Sequence, residues 1–141
     1  MKKLTSPLSL NTDLASLVLR LLFGGIFMYH GYPKFTGYSQ MVEMFGDPIG
    51  IGNELSVILV IFAEFFCGLF ILFGFLTRFS VIPVFTTMLV AFFVAHGKDE
   101  FTMKMLPFVY MFLCVVLFIL GSGRYSIDEL LFTKNPESRR D

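Results

Sequence analysis

Charge is scarce in this chain. Only 16% of its 141 residues are Asp, Glu, Lys or Arg, where a soluble domain carries about 25%. Neither sign is in excess. Eleven basic residues cancel eleven acidic ones, so no strong field of one sign draws nucleic acid. Cysteine is rarer still, with two in total and no CxxC pair. That excludes a disulfide scaffold and the common dithiol redox motif. P-loop and dinucleotide fingerprints are also missing. Two His and one Glu could in principle hold a metal, but no two of them stand at ligand spacing, and no metal site is expected.

What is present instead is apolar mass. Hydrophobic residues make up 55% of the chain, nineteen of them Phe, and the mean hydropathy is +0.74. A soluble domain of this size has too much surface to hide so many rings from water. Disorder is excluded by the same composition. The expected solvent is lipid, and the expected fold is all-α: an integral membrane four-helix bundle with short connections and a C-terminal interfacial helix, as one domain over 1–141. A hydrocarbon core of about 30 Å takes about 20 helical residues. Four runs meet that length, at about 14–33, 55–77, 79–96 and 105–123. The first exceeds the apolar region of a secretory signal and has no convincing cleavage motif, so it is expected to be retained. A Gly-rich polar loop follows it, and Arg78 marks a tight hairpin between the second and third runs. Ser126 with Glu129 three residues on forms a capping-box pattern, predicting a short amphipathic helix on the membrane surface.

Basic residues outside the runs give an orientation. Lys2, Lys3, Arg78, Arg124, Lys134, Arg139 and Arg140 fall on one side, and Lys34, Lys98 and Lys104 on the other. Seven against three predicts both termini in the cytoplasm of a bacterial-type inner membrane, with the long first loop outside.

A charge near the bilayer centre costs at least about 2.5–3.5 kcal/mol, so ionisable residues inside the runs are the first functional suspects. At about 1.5 Å per residue, Arg20 falls about 9 Å and Glu64 about 16 Å from the cytoplasmic face. An Arg20–Glu64 ion pair is therefore expected, either as a structural clamp or as part of a site. His30 and His96 share a depth of about 24–25 Å, and Tyr110 falls at about 20 Å. Lys34 is one turn beyond His30. Glu64, His30, Lys34, His96 and Tyr110 thus converge in the outer half, where bundle helices form ligand sites. Gly24, Gly31 and Gly68 read as close-packing positions. Cys67 and Cys114 lie at similar depth and read first as small packing residues.

The motifs Arg20…Gly24 and His30-Gly31-Tyr32-Pro33-Lys34, then Glu64-Phe65-Phe66-Cys67-Gly68-Leu69 and Leu72-Phe73-Gly74-Phe75-Leu76-Thr77-Arg78, resemble the DoxX family. So do His96 and the segment Gly121-Ser122-Gly123-Arg124-Tyr125-Ser126-Ile127-Asp128. The likeness covers about residues 14–130. DoxX-like proteins are small four-helix membrane proteins, named for a subunit of an archaeal thiosulfate:quinone oxidoreductase. The resemblance implies a quinone-linked redox subunit, with quinone as the cofactor and a separate redox partner protein. On that reading Glu64, His30 and His96 are the catalytic residues, and Tyr110, Lys34 and Arg20 bind the cofactor. Phe27, Phe62, Phe66 and Phe92 are candidates for the ring pocket. The alternative class is a non-enzymatic membrane module: an assembly factor, a small solute transporter or a lipid-binding partner subunit. Homo-oligomers are compatible with either.

Overall fold

A computed structural model describes residues 11–133. Lys2, Lys3, Lys134, Arg139 and Arg140 of the orientation count lie outside them. Four helices are long and apolar enough to cross a membrane: Thr12–Thr36, Asn53–Phe73, Thr77–Ala95 and Phe101–Leu120. They are the first to fourth spans below. Two short helices, Tyr38–Met44 in the first loop and Ile127–Phe132 at the C-terminal end, complete the described residues, which hold no strand. The protein is a multi-pass membrane protein with an all-α fold.

Local chemistry sets the span ends. Asn11 caps the first span by accepting the Leu14 N–H at 3.0 Å, one of the donors a helix start leaves without a partner. The second span stops at Phe73, four residues before the expected end. Gly74 takes a left-handed φ of 69° there, a conformation that glycine enters without a Cβ penalty. Leu76 also has a positive φ, 46°, an uncommon state for a bulky residue. The Asp128 carboxylate holds that turn, accepting from Leu76 N at 2.7 Å and Thr77 N at 3.3 Å. The fourth span starts at Phe101, earlier than the hydropathy suggested, because Lys104 interrupts an apolar pattern that is already helical. The expected cap of the last helix is present, with Glu129 N donating to Ser126 Oγ at 3.2 Å.

The first two spans touch backbone to backbone. A Cβ on Gly24 would lie 2.6 Å from Leu72 N, and one on Gly31 would lie 2.6 Å from Phe65 N. Small residues at such positions let membrane helices gain packing and close polar contact where lipid offers no hydrophobic drive. These two contacts fix the register: Gly24 faces the stretch 68–72 and Gly31 faces Glu64 and Phe65. Phe23, Phe27, Ile71, Val84, Cys114 and Leu117 pack into the common core. Cys67 and Cys114 are buried free thiols.

This register overturns the expected Arg20–Glu64 pair. Gly31, which faces Glu64, lies eleven residues beyond Arg20, or about 16 Å along the helix. Helical side chains also lean toward the helix N-terminus, which carries the Arg20 guanidinium away from Glu64. It ends at Gly74, donating to Leu72 O at 3.5 Å and Tyr125 O at 2.6 Å. Arg20 is fully buried, and its Nε has no partner among the described residues. It ties the end of the second span to the C-terminal segment.

Two stretches depart from α geometry: Phe62–Cys67 in the second span and Ala91–Ala95 in the third wind as π-helix. Such single-turn bulges recur at functional sites, and these two flank one cleft.

Candidate binding cleft

The cleft has a volume of about 250 Å³ and lies between the second and third spans, under the first loop. Its walls are mostly apolar, with Leu59, Val60, Met88, Val90 and Ala91 among them. Phe45, Pro48, Ile49 and Ile51 of the loop cover it. The polar lining comes from Lys34, Ser56, Glu64, Thr86, Thr87 and His96.

Lys34 stands in the last turn of the first span. The lean that takes Arg20 away from Glu64 brings Lys34 back toward it. Lys34 Nζ donates to Glu64 Oε2 in a direct ion pair, and contacts His30 O at 3.4 Å. Glu64 is 7% exposed. A buried carboxylate of this kind is tolerable only when paired. The π turn around Glu64 and the glycine at position 31 set the spacing of this pair.

His96 follows the second π turn and lines the cleft. Its Nδ1 lies 2.7 Å from Asp99 Oδ2. A carboxylate can only accept there, so the hydrogen bond assigns the ring proton to Nδ1 and leaves Nε2 for a ligand. Thr86 and Thr87 turn their hydroxyls onto the backbone, donating to Ile82 O and Pro83 O at 3.0 Å each. Pro83 is accommodated within the continuous helix Thr77–Val90.

The loop cover is held by Asp47. Its carboxylate accepts from Gly52 N at 2.7 Å, Ile51 N at 2.9 Å and Ser56 Oγ at 3.4 Å. The Gly52 N–H foremost, with Ile51, Gly50 and Ser56 assisting against partial desolvation, holds the Asp47 carboxyl below its ordinary range. Gly46, Gly50 and Gly52 all have positive φ, so the loop's path depends on residues without a Cβ.

Of the six candidates from sequence, the cleft brings together Lys34, Glu64 and His96. The other three lie elsewhere. His30 is exposed beside Tyr29, with ring centroids 5.8 Å apart. Its neighbour Gly31 is the residue that faces the second span, so His30 is turned round the helix. Tyr110 is buried edge-on to Phe23 and Phe27, at 5.8 and 5.0 Å, within the core. Arg20 lies at the opposite end. Asp99, Asp47, Thr86 and Thr87 went unread. Asp99 stands three residues from His96, and the two threonines interrupt an otherwise apolar run, so both signals were present. Among the described residues no group of three His, Cys, Asp or Glu is placed to hold a metal. A larger hollow of about 640 Å³ lies at the other end of the bundle and shares none of the cleft's residues.

Comparison with known proteins gives the context. The DoxX family profile matches residues 15–97. The inner membrane protein YqjF of Escherichia coli is 41% identical over 129 residues, covering 86% of this chain and 95% of that protein. A Bacillus subtilis protein named "Putative oxidoreductase CatD" is 28% identical over 122 residues, covering 85% of this chain and 89% of its own. No solved structure matches at comparable significance. With most of its length aligned to these relatives, and the family profile spanning three of its four spans, the chain belongs to the DoxX family.

Proposed function

We propose that the cleft binds a quinone and that the protein is the membrane subunit of a quinone-linked oxidoreductase. One observation carries this reading: an ion pair, Lys34–Glu64, is held inside a mostly apolar cleft that also presents a histidine. The donor set fits a ligand with an apolar body and carbonyl oxygens. A small number of placed polar groups in an apolar pocket is the usual form of such a site. The relative named as an oxidoreductase supports the same class.

A bound quinone supplies two-electron, two-proton chemistry between carbonyl and hydroxyl forms. The protein's own part is binding and protons. The Lys34 ammonium donates hydrogen bonds toward a carbonyl oxygen. Glu64 keeps that ammonium in place. His96, aligned by Asp99, offers Nε2 as a proton acceptor when neutral and as a donor when protonated. His96 and Asp99 have side chains 40% and 45% exposed, so protons can pass from water to the cleft through this pair. Electrons come from a separate partner protein. On this reading the protein resides in the inner membrane, as its relative does, with both termini cytoplasmic and the cleft in the outer half.

Titration of a short-chain quinone into the purified protein tests the proposal. Wild type should bind saturably, and Lys34→Met or Glu64→Gln should weaken binding about tenfold or more, the worth of one charged hydrogen bond. Absence of saturable binding by folded wild type would favour a non-enzymatic membrane module.

A further inference from the structure

The hollow at the opposite end of the bundle has a charge pattern of its own. It lies where the spans end: Asp13 stands in the first turn of the first, Thr77 and Arg78 begin the third, and Leu120 ends the fourth. Arg78 is its basic residue, and Asp13, Asp128 and Glu129 are on its walls. Among the described residues the ion pairs are Lys34–Glu64 and His96–Asp99, so Arg78 shares the hollow with carboxylates without pairing to one. Arg78 Nε donates to Phe118 O at 3.1 Å. A guanidinium has five N–H groups, so four remain for another acceptor. Asp13 Oδ1 accepts from Arg124 N at 2.9 Å, and Asp128 takes the two backbone N–H groups of the 76–77 turn. Those hydrogen bonds leave both carboxylates with lone pairs to spare. Gly121 and Gly123 line the hollow with positive φ, and a Cβ on Gly121 would come within 3.3 Å of the Arg78 guanidinium. Leu76, Phe79 and Phe132 supply an apolar rim, with Phe79 72% and Phe132 64% exposed.

We propose that this hollow binds the head group of a zwitterionic phospholipid with a primary ammonium, phosphatidylethanolamine. The phosphate sits on the free face of Arg78, the fork geometry that arginine offers to phosphate oxygens. The ammonium, with three donors, turns to Asp13 and Asp128. The acyl chains lie over Leu76, Phe79 and Phe132. A purely anionic head group would bring a second negative charge toward the carboxylates. A trimethylated ammonium would have no N–H to give them. The site lies at the far end from the quinone cleft and is independent of that reading.

Native mass spectrometry of the detergent-solubilised protein, titrated with phosphatidylethanolamine, phosphatidylglycerol and phosphatidylcholine of identical chains, tests this. The expected result is about tenfold preference for the ethanolamine lipid, one charged hydrogen bond's worth, with binding of all three lipids weakened about tenfold in Arg78→Gln. Asp13→Asn should remove the preference over phosphatidylcholine while keeping binding, provided each variant keeps its thermal transition. Loss of that transition in one variant leaves the wild-type lipid ranking to decide. Equal retention of the three lipids, preference for phosphatidylglycerol, or undiminished lipid binding in a folded Arg78→Gln would overturn the proposal. Soluble O-phosphoethanolamine should compete only weakly. If it bound as tightly as the lipid, the site would be one for a free phosphate–ammonium solute and the lipid assignment would fall.

Discussion

Replacing Gly31 by Ala tests whether the backbone contact between the first two spans sets both stability and the cleft. The added Cβ would stand 2.6 Å from Phe65 N and 2.9 Å from Glu64 C and Phe65 Cα. All three neighbours are backbone, so no flexible side chain can give way. Ordinary contact begins at 3.4 Å, so the spans must part by roughly 0.8 Å. Overfilling a packed interface costs about 1–3 kcal/mol. Alanine's better helix propensity returns up to about 1 kcal/mol, leaving a net loss of about 1–2 kcal/mol. Gly25→Ala is the control, because a Cβ there meets nothing within 4 Å. It should be neutral or stabilising by up to about 1 kcal/mol. Unfolding in a series of denaturing-detergent fractions measures both. The same parting draws Glu64 from Lys34, so quinone binding should also weaken in Gly31→Ala. Equal stability of the two alanine variants would refute the contact.

Arg20→Ala should destabilise the fold by about 2–4 kcal/mol, since Leu72 O and Tyr125 O each lose a buried donor worth about 1–3 kcal/mol when left unsatisfied; thermal unfolding checks it, and a change under 1 kcal/mol would contradict the tie. Asp47, with its carboxyl held below the ordinary range, stabilises the loop cover fully at neutral pH. That contribution should disappear only as pH falls through its lowered value, seen as faster amide exchange at Ile51 and Gly52 in acid, and Asp47→Asn should abolish the acid dependence. In intact cells a cysteine at Ser39, with Cys67 and Cys114 replaced, should react with an impermeant maleimide. Labelling only after lysis would reverse the orientation.

Much of the bundle was legible because lipid imposes a simple rule: about twenty apolar residues per span. The rule blurs at ends, where Gly74 stopped one helix early and Lys104 concealed the start of another. Depth counting placed Glu64 relative to Arg20 wrongly, because register is set by the contacts of Gly24 and Gly31 rather than by where hydropathy begins. The tilt of helical side chains toward the N-terminus decides the partners, sending Arg20 to Tyr125 and Lys34 to Glu64. Both were within reach of the sequence once the glycines were used as register marks. His30 and Tyr110 matched in depth but not in rotation. Depth gives one coordinate of a residue, and a site needs the angle round the helix as well. The π turns and the loop cover carry no periodic signal and needed the structure.

Photolabelling tests whether a quinone occupies the cleft. A short-chain azidoquinone irradiated with the purified protein should attach to the segments 45–64 and 86–96, and excess unmodified quinone should suppress the label. Adducts confined to the lipid-facing side of the fourth span, or label that excess quinone leaves unchanged, would contradict it.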